Sequence, residues 1–231
     1  MLTPTTAIVL AAGRGERLRP HTDRCPKPLL PVRGKPLIVW HLEALARGGV
    51  KRVVVNTAWL EEQFPAALGD GSRWGLSIHY AREQRDHGGA LETAGGIAAA
   101  LPWLEDPFWV VSGDVFIPGF GFDAEHAASL AANDLAHLWM VPNAPHHPRG
   151  DFVLDAGRLR LRRDDVGCTW ASVGLFRRAM FDHIAPGTRL RLRPPLEAAI
   201  AADRLGGSRW AGAWTDVGTV ERWAALEAPA P

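Results

Sequence analysis

Apolar residues in the first half of the chain alternate between two arrangements. Short unbroken runs fall at Thr6–Ala11 (TAIVLA), Arg52–Asn56 (RVVVN), Leu76–Tyr80 and Phe108–Ser112 (FWVVS). Each is bounded by glycine or polar residues, which predicts strands buried on both faces. Between them the spacing is helical. Residues 36–48 carry Leu37, Ile38, His41, Leu42 and Leu45 on one stripe and stop at Gly48-Gly49; Trp59–Leu68 stops at Gly69, and Thr93–Leu101 at Pro102. Strand and helix in alternation imply right-handed crossovers and a mostly parallel sheet with helices on both faces. In such sheets ligands sit beyond the carboxyl ends of the strands. The loops expected to matter are therefore 12–31, 81–92 and 113–118.

The second half is less regular. The pattern predicts a strand at Leu135–Val141, a hairpin over Asp151–Arg163 turning near Ala156-Gly157, and a strand at Cys168–Phe176. A helix follows over Pro195–Asp203 with proline in its first turn, then a strand end at Trp214–Gly218. Thr219 is placed to cap a last helix through Leu226. One domain over 1–227 is expected, with a frayed tail at 228–231.

Hydrophobic residues make up 47% of the 231, enough for a sizeable core. No apolar run approaches the roughly 18 residues that span a bilayer, and Met1–Thr6 lacks the layout of a signal peptide. Two cysteines, Cys25 and Cys168, make no disulfide framework. A cytoplasmic setting is the natural expectation. A net charge of +1 offers no basic excess for nucleic acid. The Arg189–Arg193 and Arg158–Arg163 stretches alternate Arg with Leu, as a strand with one polar face does.

Chemistry concentrates at Leu10–Pro20 (LAAGRGERLRP). After a buried strand, the small residues Ala11, Ala12, Gly13 and Gly15 let backbone N–H groups approach an anion, and Arg14, Arg17 and Arg19 add positive charge suited to phosphate. Lys27 follows in CPKPLLP, where Pro26, Pro28 and Pro31 are expected to hold it in an extended, stiff segment. The loop is not a Walker A, since Glu16 follows Gly15. Nor is it a dinucleotide fingerprint, since Leu18 stands where glycine is needed. Asp114 in Ser112-Gly113-Asp114 and Asp216 in WTDVGT each follow an apolar strand. Taken singly, either could cap a loop; together with a phosphate loop they suit Mg²⁺, which takes one or two carboxylates plus substrate phosphates.

Gly13–Pro36, with Thr22, Pro26–Leu29, Pro31 and Lys35–Ile38, resembles the nucleotide-binding signature of the sugar-phosphate nucleotidyltransferases: G-x-G-x-R-L/M-x-P-x-T, then P-K-P-L-x-P and K-P-L-I. The resemblance implies an α/β fold, a Rossmann-like three-layer sandwich with residues 1–118 binding nucleotide and 119–227 binding sugar. It implies that the loop Ala11–Gly15 wraps a triphosphate, that Arg17 and Lys27 act on the reacting phosphates, and that Asp114 and Asp216 hold Mg²⁺. Glu83, Gln84, Glu92, Gly95 and Ser112 (where the family often has Asn) would contact the nucleotide. LETAGGI (Leu91–Ile97) is similar to LETGGGI of a uridylyltransferase subgroup that uses UTP and N-acetylmuramate 1-phosphate. HLEALARGGV, LGDGSRWGLSIHY, HHPRGDF and WTDVGTVER also have counterparts there. RGDF would put Arg149 and Asp151 near the sugar, although it also reads as an ordinary loop before a hairpin. His146-His147 reads as a pair of solvated loop histidines. Residues 84–89 look like an extension of the base loop. A thymidylyl- or guanylyltransferase acting on a hexose 1-phosphate, and a non-catalytic sugar-nucleotide sensor, stay open. A monomer or small homo-oligomer, with no nucleic-acid or membrane partner, is expected.

Overall fold

A computed structural model describes residues 3–227, so the expected tail at 228–231 lies outside the described residues. The first half runs β1 (Thr6–Leu10), a two-residue hairpin β2 (Pro31–Val32) and β3 (Lys35–Pro36), α1 (Leu37–Arg47), β4 (Arg52–Thr57), α2 (Gln63–Leu68), β5 (Ser77–Arg82), α3 (Glu83–His87), α4 (Glu92–Ala100), β6 (Phe108–Ser112) and β7 (Val115–Phe116). The second half runs α5 (Ala124–Ala127), β8 (Ala136–Val141), β9 (Phe152–Asp155), β10 (Arg158–Leu161), β11 (Thr169–Phe176), α6 (Arg193–Ala201), β12 (Leu205–Arg209), β13 (Thr215–Asp216) and α7 (Val220–Glu227).

Nine strands form one sheet in the order β5-β4-β1-β6-β11-β8-β12-β10-β9. The first four are parallel neighbours, and all but β10 and β11 point the same way. The unbroken apolar runs become central strands for the expected reason, since alternate residues enter different layers. Ala7 and Val9 of β1 pack with Ile38, Leu42 and Leu45 of α1, whereas Ile8 packs with Ile97 of α4 and Leu196 of α6. The result is a three-layer α/β sandwich with a mostly parallel central sheet.

Three local expectations are overturned. Trp59 does not open a helix; α2 starts at Gln63, because the Trp59 indole instead donates from Nε1 to the Thr22 carbonyl at 2.8 Å. Residues 189–191 form no strand. Leu190 exchanges backbone hydrogen bonds with the start of α4: its N–H donates to Leu91 O, and its carbonyl accepts from Ala94 and Gly95 N–H. The Lys27 segment is not extended throughout, since Lys27–Leu29 closes a 3-10 turn with Leu29 N–H donating to Pro26 O at 2.8 Å. Proline's fixed φ suits such a turn as well as it suits an extended run.

Two buried histidines make the fold acid-sensitive. Burial pushes His41 and His137 down to about 4, against the usual 6.5. Unfolded, each binds a proton below about pH 6.5; folded, each resists it until about pH 4. Their contribution to stability is thus full above pH 6.5 and is lost as pH falls towards 4, about 3 kcal/mol for each. The melting temperature of the parent should fall steeply across that window, and His137→Gln should flatten the fall. A parent curve that is level between pH 7 and 4 contradicts this.

Candidate active site

The carboxyl ends of the adjacent strands β4, β1 and β6 open into a cavity of about 800 Å³. Leu10, Asn56 and Ser112 stand at those ends and line it, with the 11–17 loop on one wall and Gln84, Ala90, Glu92 and Thr93 on another. This is where the alternation of elements placed a ligand.

The 11–17 loop is tightly built. Gly15 adopts φ +68 with its carbonyl accepting from Thr22 Oγ1 at 2.9 Å, and a Cβ there would stand 3.0 Å from Thr22 Cγ2. The left-handed φ and the crowding both select glycine. Arg14 lies 3.6 Å over the Trp59 ring, donates to Thr22 O at 2.9 Å, and pairs with Asp23 at 2.6 Å. The Arg14 hydrogen bond holds Asp23 below the usual carboxylate range. Arg14 therefore shapes the loop with a charge already spoken for. Arg17 is exposed, lines the cavity and makes no ion pair among the described residues, which leaves its guanidinium available to an anion.

At the far end of the loop, the nearly buried Lys27 donates from Nζ to Asp114 Oδ2 at 2.8 Å. Asp114 is fixed from both sides: Gly113 N–H donates to Leu10 O, and Val217 N–H to Asp114 O, each at 2.8 Å. In the β7–β13 ladder Asp216 pairs with Val115, the next residue after Asp114. Two aspartates distant in sequence thus come onto one short ladder, with Asp114 lining the cavity. Asp216 Oδ1 lies 3.1 Å from His146 Nε2, and Oδ2 lies 3.1 Å from Arg222 Nη2. Thr219 Oγ1 accepts from Arg222 N–H, as a cap on α7 should.

Among the described residues no three His, Cys, Asp or Glu side chains converge into a metal cage. Two aspartates on one short ladder, one of them lining the cavity, do fit a cation that fills its remaining positions with water and substrate oxygens. The donor set excludes a closed zinc-type site, which needs four protein ligands.

Of the residues singled out from sequence, Ala11, Ala12, Gly13, Arg14, Gly15, Arg17, Lys27, Glu92, Ser112 and Asp114 line the cavity. Five do not: Asp216 stands outside the lining, on the strand that pairs with Val115 next to Asp114. Glu83 is 1% exposed and turns inward, and Gln84 lines the cavity in its place. Gly95 packs against the 188–190 backbone, where a Cβ would come 2.1 Å from Thr188 O. Asp151 accepts from Trp170 N–H at 2.8 Å and pairs with His147 at 3.1 Å, tying its loop to β11. Arg149 donates to Arg163 O. Neither of these last two lines the cavity. Conversely, His146, read as a solvated loop residue, reaches Asp216; Asn56, Trp59 and Arg222 carried no signal of their own. Residues 84–89 are mostly the short helix α3 rather than a longer loop. Glu92 sits at φ +62, paired with Arg189 at 3.4 Å, at the rim of the cavity.

Residues 6–228 match the family described as "Nucleotidyl transferase". The chain is 48% identical over 221 residues to N-acetylmuramate alpha-1-phosphate uridylyltransferase of Neisseria meningitidis serogroup B, covering 94% of each chain. It is 30% identical to mannose-1-phosphate guanylyltransferase of Mycobacterium tuberculosis, over 93% of this chain but 61% of the relative. Its fold is shared with a putative glucose-1-phosphate thymidylyltransferase from Bacillus anthracis, with TM-score 0.81 and 20% identity over 96% of this chain and 94% of that one.

Proposed function

The chain belongs to the nucleotidyl transferase family, and on that basis we propose that it joins UTP to N-acetylmuramate 1-phosphate, giving a UDP-sugar and pyrophosphate. The observation that carries the chemistry is the meeting, in one cavity, of the 11–17 loop with the Lys27–Asp114 pair. The identity of base and sugar rests on the full-length likeness to the meningococcal uridylyltransferase.

In this reading the triphosphate lies along Ala12–Arg17, with backbone N–H groups and the Arg17 guanidinium on its oxygens. The base occupies the wall formed by Gln84, Ala90, Glu92 and Thr93. An oxygen of the sugar 1-phosphate attacks the α-phosphorus in line, forming a new P–O bond as the bond to pyrophosphate breaks. The nucleophile is already an anion, so no general base is needed and catalysis is positioning plus charge stabilisation. Lys27 sits where charge gathers on the transferring phosphate. Asp114 and Asp216 would hold Mg²⁺, which supplies charge neutralisation on the phosphates when bound. Residues 119–227 carry the sugar side, and His146 approaches from there. No helix among the described residues is long and apolar enough to cross a membrane, and a cytoplasmic setting is part of the proposal.

Pyrophosphate release with Mg²⁺ tests this directly, pairing UTP, dTTP, CTP and GTP with the 1-phosphates of N-acetylmuramate, N-acetylglucosamine, glucose and mannose. Turnover is expected with UTP and N-acetylmuramate 1-phosphate, at least about tenfold above any other pair, a margin of about 1.4 kcal/mol. Preference for another pair keeps the chemistry and discards the substrate assignment. Binding of nucleotide without turnover in any pair makes the protein a sensor.

A further inference from the structure

Glu83 and Asn56 have no place in the transfer step, yet they are among the most buried polar side chains, at 1% and 3% exposure. They form one continuous chain of hydrogen bonds. Ala11 N–H donates to Asn56 Oδ1 at 2.8 Å, Asn56 Nδ2 donates to Glu83 Oε1 at 2.7 Å, and Leu91 N–H donates to Glu83 Oε2 at 2.8 Å. Ala11 begins the phosphate wall, and Leu91 leads directly into Glu92 on the base wall. Gly96 of α4 makes room for the chain, since a Cβ there would stand 2.5 Å from Glu83 Oε1 and 2.7 Å from Asn56 Nδ2.

We propose that Asn56 and Glu83 are positioning residues whose buried relay holds the phosphate loop and the base loop at one fixed separation, and so sets nucleotide affinity and discrimination between bases. The polarity of the relay is dictated by its ends. Both are backbone N–H groups and can only donate. Asn56 accepts from one end and passes a donor onward, so the remaining group must accept on both sides, which among side chains of this shape an ionised carboxylate does. Burial raises the Glu83 pKa, while the hydrogen bonds from Leu91 and Asn56 oppose that rise by favouring the anion. The Ala11 amide also lies 3.1 Å from the Asn56 carbonyl through the β1–β4 ladder. That second contact anchors the loop to β4 but does not reach the base wall.

The same logic supplies the test. Glu83→Gln turns an amide NH₂ against a donor and breaks the relay. Asn56→Asp puts one carboxylate against another. The double change, Asn56→Asp with Glu83→Gln, restores every donor–acceptor match in reversed order, with net charge and shape unchanged. Kinetics would use whichever of UTP, dTTP, CTP and GTP the parent prefers, so a parent that rejects UTP defeats the proposed function without touching this test.

Each single change is expected to lower kcat/KM for nucleotide by about 10- to 100-fold through a raised nucleotide KM. It should also narrow the margin between bases while leaving the sugar 1-phosphate KM within about twofold of the parent. The double change is expected to bring nucleotide KM and base preference back. A merely structural role would lower melting temperature and leave both KM values of the folded fraction alone. Folded single variants with the parent's nucleotide KM overturn the proposal, as does an equal rise in both KM values. Where a single variant fails to fold, the double variant decides alone: recovery of parental nucleotide KM supports the relay, and weak nucleotide binding or failure to fold overturns it.

Discussion

Asp114→Asn is expected to lower turnover by about 10³-fold while the fold survives. The substitution preserves size and leaves an oxygen able to accept from Lys27 Nζ, now 2.8 Å from the carboxylate. The backbone anchors of Asp114, Gly113 N–H to Leu10 O and Val217 N–H to Asp114 O, do not involve the side chain. What disappears is one negative charge beside the 11–17 loop, and with it one of the two oxygen ligands proposed for the cation. Preorganised charge of this kind is typically worth about 10² to 10³ in turnover for each group removed, and loss of metal affinity adds to it. Steady-state kinetics over a wide range of Mg²⁺ would show the deficit, partly recovered as metal rises. A melting temperature within a few degrees of the parent would separate it from unfolding. An Asp114→Asn enzyme that turns over at the parental rate ends the assignment of this carboxylate.

Lys27→Met carries the second large effect, about 10²- to 10³-fold in turnover. The methionine keeps most of the apolar stem, which matters because Lys27 is only 8% exposed and packs within its turn. The ammonium is removed, so the half-exposed Asp114 loses its one ion-pair partner among the described residues. That loss costs little stability, since an exposed carboxylate recovers its solvation, about 0–1 kcal/mol. The kinetic signature should be a fall in kcat larger than any rise in nucleotide KM, because the charge acts on the phosphate undergoing transfer rather than on the base. Lys27→Arg should recover little, since the site is nearly buried and the guanidinium is larger and planar where the ammonium is compact. Unchanged kcat in a folded Lys27→Met enzyme would remove Lys27 from the reaction.

The sheet and the 11–17 side of the cavity were legible in the chain because their causes are local. Ala7–Leu10, Val53–Val55 and Phe108–Val111 are unbroken apolar runs because each is packed on both faces, and the pattern reports that directly. The 11–17 loop follows in the same stretch, so its small residues and arginines are visible together. Asp114 and Asp216 each announced themselves at a strand end, although their meeting depended on a two-residue ladder that no spacing reveals. What escaped was set by distant partners. Glu83 looked like a surface contact to a base and is buried because Asn56, from another strand, satisfies it. Arg189–Arg193 alternates like a strand, yet Leu190 spends its hydrogen bonds on the start of α4. His146 had the composition of a loop residue, and only the return of β13 brings an acid to it.

That ladder between β7 and β13 also has a bearing on biosynthesis. The phosphate loop, Lys27 and Asp114 all leave the ribosome within the first half of the chain, together with the four parallel strands that carry them. Asp216 follows only after β8 to β12, on a strand whose partner has long since been made. A nascent chain can therefore present an assembled 11–17 loop while Asp216 is still to come. In the proposed reading, competence for transfer waits for β13, so chains that stop short of it would be inert towards the cell's nucleotide pool.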